Sequence, residues 1–120
     1  MGAGGGGGRF PNTDGGKPNN SIHQDRQDKH IVGTKNYNQQ IANGKNPSIL
    51  NENPQQLLGE GSGKGTMLRT TKERVDFGRK IGEYYHPPTG QYYNTINGII
   101  HYDGKGKAHI VPAMPSDFQH

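Results

Sequence analysis

The stretch Gly98-Ile-Ile-His-Tyr-Asp-Gly-Lys-Gly-Lys-Ala-His-Ile-Val-Pro112 decides how this chain is read. Two short apolar runs, Ile99-Ile100 and Ile110-Val111, flank Asp103-Gly-Lys-Gly106, which is the composition of a β-hairpin closed by a glycine-containing turn. Each arm carries one histidine. If Asp103 pairs with Lys107 across a loop of Gly104, Lys105 and Gly106, His101 falls opposite His109 and both imidazoles project from one face of the sheet. A two-residue loop would put them on opposite faces.

Upstream of this hairpin the same texture repeats. Met67-Leu68, Val75 to Phe77, Ile81 to Tyr85 and Tyr92 to Ile96 are short runs of β-branched, aromatic and other apolar residues. Pro87-Pro-Thr-Gly90 and Asn97-Gly98 are the clearest turn signals between them. Further toward the N-terminus the signals are helical. Thr34 is an N-cap for a helix over residues 35–42, with Tyr37 and Ile41 as its buried stripe and Asn43-Gly44 as its stop. Asn53-Pro54 caps a second short helix from Gln55 to Leu58 or a little beyond. Helices followed by a meander predict an α+β fold, with short N-terminal helices packed on an antiparallel sheet of about four strands.

The first residues cannot join that fold. Residues 1–17 are glycine-rich and almost without apolar side chains apart from Phe10, too little to offset the entropy of ordering them. The expected organisation is a flexible glycine-rich tail over 1–26, a domain over 27–115 and a short tail over 116–120. With 27% hydrophobic residues, 20 glycines and 8 prolines, the core must be small. No run approaches the roughly 18 apolar residues that span a bilayer, so no membrane association is expected. Export, if any, would depend on a larger secreted carrier preceding this domain. Cysteine is absent, which excludes disulfides and thiolate zinc sites.

A net charge of +4 and a pI near 9.4 favour an anionic partner such as nucleic acid. Gly59-Glu-Gly-Ser-Gly-Lys-Gly-Thr66 resembles a phosphate-binding loop, but that pattern needs glycine where Leu58 stands and serine or threonine where Gly65 stands. What precedes it is also a helix signal rather than a strand. A basic loop touching a nucleic-acid backbone fits it better. The six histidines show no spacing typical of metal ligands, so no metal and no cofactor is expected.

Two facing histidines in a basic chain suit metal-free cleavage of RNA. One imidazole takes the ribose 2′-hydroxyl proton, an acid protonates the departing 5′-oxygen, and a cation stabilises the charged phosphorus. Histidine, with an ordinary pKa of about 6.5, serves either proton role near neutrality. Arg74 is the first choice for the cation because its planar fork matches phosphate oxygens. Lys29, Lys105 and Lys107 are further candidates for holding the substrate. Tyr84, Tyr85, Tyr92 and Tyr93 could stack on bases or pack across strands.

Lys29-His-Ile-Val-Gly33, Gly44-Lys-Asn-Pro-Ser48, Glu73-Arg-Val-Asp-Phe-Gly78 with Ile81-Gly82, Gly98-Ile-Ile-His-Tyr102 and His109-Ile-Val-Pro-Ala113 resemble, in order, the bacterial polymorphic toxin type 50 domain. That resemblance implies a ribonuclease toxin of the barnase, EndoU, colicin and RelE-like fold, at the C-terminus of a long secreted or phage-associated protein. It points to His30, Arg74, Thr95, His101 and His109 as catalytic positions, with Thr95 offering a hydroxyl to phosphate or ribose. It further implies an RNA substrate, tRNA among the candidates, and a cognate immunity protein. A monomer delivered into the cytoplasm of a target cell is expected. The competing readings are a noncatalytic nucleic-acid or protein binding module, and a toxin with another target.

Overall fold

The computed structural model describes residues 20–116, so the expected flexible tail up to residue 19 and the last four residues lie outside it. Among the described residues the order is β1 (Ser21–Ile22), α1 (Gln24–Asp28), α2 (Lys35–Ala42), β2 (Ile49–Leu50), α3 (Pro54–Gly61), β3 (Thr66–Arg69), β4 (Lys72–Asp76), β5 (Gly82–His86), β6 (Gln91–Thr95), β7 (Asn97–Tyr102) and β8 (Lys107–Pro112). Residues 21–26, read from the sequence as tail, thus form β1 and the start of α1.

The fold is α+β, as expected, but the sheet is not a single meander of about four strands. A five-stranded sheet runs β1-β8-β7-β4-β3 and a three-stranded sheet runs β2-β5-β6. Every pairing is antiparallel except β1 with β8. The division comes at Ile96, the one residue between β6 in the smaller sheet and β7 in the larger. Asn97-Gly98 is therefore not a turn but the start of β7. A Cβ at Gly98 would lie 3.1 Å from side-chain atoms of Ile81 and Ile110, so glycine there serves close packing rather than a turn.

The core lies on one face of the larger sheet. Val75, Ile100, Ala108 and Ile110 from its strands meet Leu57 and Leu58 of α3, Leu50 of β2 and Ile81 before β5. Asn53 caps α3 by accepting the Gln56 amide at 2.9 Å, and Pro54 occupies the first turn, where its missing N–H costs nothing. Helix α2 forms where expected, with the Thr34 hydroxyl accepting from Tyr37 N at 3.0 Å. Its stripe does not enter the core: Ile41 is 45% exposed and no residue of α2 is buried. The two leucines of α3 already fill the space over the sheet, and α2 packs on α1 at the rim.

The glycine-rich stretch after α3 is bound to the protein's own carboxylate. Glu73, 1% exposed, accepts from Gly63 N at 3.0 Å, from Gly65 N at 2.7 Å and from the Tyr102 hydroxyl at 2.6 Å. Loop amides that would cradle a phosphate in a nucleotide-binding loop here hold an internal anion. A Cβ on Gly65 would sit 2.1 Å from the Arg74 carbonyl oxygen, so the loop lies directly on β4 only because that residue is glycine.

Candidate functional site

The hairpin takes the three-residue loop. Asp103 N donates to Lys107 O at 3.0 Å, and Asp103 Oδ1 accepts from the amides of Lys105 and Lys107 at 2.7 and 3.1 Å. Gly104 and Gly106 have φ of +78° and +88°, conformations that favour glycine. In this register His101 pairs with His109 across β7 and β8, and their rings stack 4.8 Å apart at 17°. Both project from the face opposite the core, since Ile100, Ala108 and Ile110 alternate with them and are buried.

A third imidazole joins them through a contact the sequence does not announce. Strand β1 pairs with β8 only as far as Ala108. Beyond it the side chain of Gln27, 0% exposed, takes over the edge, donating Nε2–H to Ile110 O at 2.9 Å and accepting Ile110 N at 2.7 Å. One amide side chain thus reproduces both bonds of a neighbouring strand and fixes α1 against β8. His30 follows three residues later, its amide on Gln27 O at 2.9 Å, and its ring lies 6.3 Å from that of His109 at 13°. His109 is the middle ring of three.

His30 Nδ1 lies 2.9 Å from the Ser48 carbonyl. A carbonyl can only accept, so Nδ1 carries the proton, and in the neutral ring Nε2 keeps its lone pair. All three imidazoles are depressed below their ordinary 6.5. For His30 burial is the main cause, opposed by the bond to Ser48 and aided by the charge of Lys29. For His101 burial comes first, then Lys72 and His30. His109 falls furthest, to about 3, through burial and then the neighbouring His101 and His30. The cluster is therefore neutral at pH 7 in a cationic setting.

Lys72 completes the row. It pairs with His101 across β4 and β7, so Lys72, His101 and His109 stand side by side on three adjacent strands of one face. The cation expected from the sequence on this strand is Arg74, and Lys72 lies two residues before it on the same face. Strand alternation, which places residues two apart on the same face, was the signal that could have found it. Arg74 lies one row along, opposite Ile99, and its guanidinium donates to the Met114 carbonyl.

The remaining candidates are not at the cluster. Thr95 is 2% exposed, and its hydroxyl donates to Ala113 O at 2.7 Å while accepting Asn97 N at 3.1 Å, which staples the passage between the sheets. Lys29 is exposed beside His30 and acts on it only through its charge. Lys105 lies in the hairpin loop, and Lys107 donates to the Ser21 hydroxyl at 2.9 Å, both lining a cleft at the hairpin tip with His23 and Asp25. Among the described residues no group of three or more histidine, aspartate or glutamate side chains could hold a metal ion. No helix among them is long and apolar enough to cross a membrane. Of the tyrosines of β5 and β6, Tyr85 and Tyr92 pack across the strands with ring centroids 5.1 Å apart, and the rings of Tyr84 and Tyr93 lie 5.9 and 6.1 Å from that of His86.

A neutral base with a fixed tautomer, a second imidazole about one phosphate's width away and a lysine on the same face can move protons around an anionic ester. No curated protein and no solved structure matches the chain. A family model does match, over residues 22–112, which spans every strand and helix that builds the histidine face. A toxin domain implies, in general, an immunity partner and secretion or delivery. By that match the chain belongs to the bacterial toxin 50 family.

Proposed function

We propose that this toxin domain is a metal-independent endoribonuclease that cleaves by attack of the ribose 2′-hydroxyl, leaving a 2′,3′-cyclic phosphate. The observation that carries the reading is the bond from His30 Nδ1 to Ser48 O beside the stacked His109 and His101. It leaves Nε2 of His30 able to accept the 2′-hydroxyl proton as general base. His109 then returns a proton to the leaving 5′-oxygen, and the bound phosphate favours its charged form because opposite charge raises a depressed imidazole pKa. His101 stacks on His109 and orients it. Lys72, on the same row, faces the negative charge that develops on phosphorus. The substrate is RNA, tRNA among the candidates, met in the cytoplasm of a target cell after delivery by a larger carrier protein.

The test is incubation of the purified domain with total cellular RNA in excess EDTA, with fragment ends read for cyclic phosphate. Discrete fragments with such ends support the reading. Intact RNA, or RNA bound without new products by a folded domain, overturns it. Full toxicity of both His30→Ala and His109→Ala would remove the proton-transfer roles.

A further inference from the structure

We propose that the cleft beside the glycine-rich loop is a second phosphate subsite, which holds the RNA phosphate next to the one being cleaved. This rests on the ribonuclease reading above. The cleft has a volume of about 340 Å³ and is lined by Lys64, Thr66, Arg74, Asp76, Asn97 and Ser116. It lies on the same sheet face as the histidines. Thr66 pairs with Arg74 and Arg74 with Ile99, the row next to that of Lys72 and His101, and Asp76 pairs with Asn97 one row further.

Spacing and chemistry both fit. Rows two residues apart along a strand are separated by roughly 6.6 Å, close to the separation of successive phosphates in an extended RNA strand. Lys64 and Arg74 supply two cations, and Thr66 and Ser116 supply hydroxyl donors. Asn97, 3% exposed, contributes a buried Nδ2 with no hydrogen-bond partner among the described residues, a donor unused by the fold.

The buried Glu73 explains how the loop takes part. By engaging Gly63 N and Gly65 N it removes the loop's amides from ligand binding and clasps the loop to β4, so that what the loop offers the cleft is the Lys64 side chain. Asp76, whose Oδ1 accepts Gly78 N at 2.8 Å, puts one negative charge at the far end, and the phosphate sits toward Lys64 and Arg74.

The experiment compares a dinucleotide, which has only the scissile phosphate, with an oligonucleotide extended on both sides. Lys64 is exposed, so Lys64→Ala keeps the fold. On the dinucleotide its kcat/KM should equal that of the wild type. On the longer substrate it should fall on the order of tenfold, mainly through KM, with the slope of log(kcat/KM) against log salt shallower by about 0.7. Asp76→Asn, which keeps an acceptor for Gly78 N, should raise the longer substrate's kcat/KM. Equal loss on both substrates, or no loss on either, overturns the subsite. A wild-type protein that cleaves neither substrate overturns the ribonuclease reading instead. Binding of a labelled 2′-deoxy oligonucleotide then tests the subsite without turnover, and unchanged affinity in Lys64→Ala overturns it.

Discussion

His101 and His109 stand directly opposite one another on β7 and β8 with rings stacked 4.8 Å apart, and His30 closes the group from the α1–α2 connection. Three imidazoles in one place on a cationic face resist protonation, and that has a measurable consequence for stability. Each has a folded-state pKa below its ordinary 6.5, so the unfolded chain binds more protons between that value and the folded one. Stability is then full above pH 6.5 and falls as pH drops toward about 3, where His109 protonates in the folded state. The depressed carboxyls of Asp103 and Glu60 act only below their ordinary 3.8 and 4.5. Urea midpoints should therefore decline between pH 6.5 and 5 in the wild type and decline less in His109→Asn. Equal slopes would refute the linkage.

Catalysis should share that acid displacement. Under the proposed mechanism the base works when neutral and the acid when protonated, so kcat/KM peaks between two depressed pKa values. The pH–rate profile of the free enzyme is expected to peak below 6.5, the ordinary histidine value. A maximum above pH 7.5 would exclude His30 and His109 as the pair.

Lys72 is predicted to matter more than Arg74 for the chemical step, because it shares a row with His101 and His109. Lys72→Ala should lower kcat about 100-fold, the scale of losing one preorganised charge partner at a phosphorus transition state. It should also raise the pKa of His101, on which the lysine charge acts. NMR titration of His101 separates this role from a structural one. An unmoved His101 pKa with unchanged kcat would remove Lys72 from the site.

Gln27 has no contact with substrate in this scheme and yet positions His30. Gln27→Leu would leave Ile110 N and Ile110 O buried without partners, costing about 1–3 kcal/mol of stability. Activity should fall further than the unfolded fraction explains, since α1 loses its tie to β8. Normal kcat in a destabilised Gln27→Leu protein would show that His30 is held by Ser48 alone.

Glu73→Ala should be the most destabilising single change outside the apolar core, on the order of 3 kcal/mol. It strips partners from Gly63 N, Gly65 N and the Tyr102 hydroxyl together. Hydrogen exchange at Gly63 and Gly65 should accelerate well beyond the global change. Protection of both amides in the variant would contradict the clasp.

Local chemistry was enough for several features. The caps Thr34 and Asn53 and the Asp103 turn were legible in the sequence because each depends on residues within four positions of one another. The facing of His101 and His109 depended on loop length, which sets the register, and the structure takes the three-residue loop that brings them opposite one another. The α+β class followed from where helix signals gave way to strand signals. The sequence alone thus determined the fold class, helices α2 and α3, the strands from β3 onward and a hairpin whose register it left between two loop lengths, while β1, α1 and β2 were not legible in it. Tertiary structure decided what depends on partners far apart in the chain. It passed the chain between two sheets at Ile96, which made Gly98 a packing glycine rather than a turn. It left Ile41 at the surface because Leu57 and Leu58 had filled the core. It turned Gln27 into a strand edge 83 residues from Ile110, which brought His30 to the cluster. It turned a phosphate-like loop onto Glu73. No local propensity carries these relationships, because in each a polar group or a volume is satisfied by a distant residue whose position only the packed fold supplies.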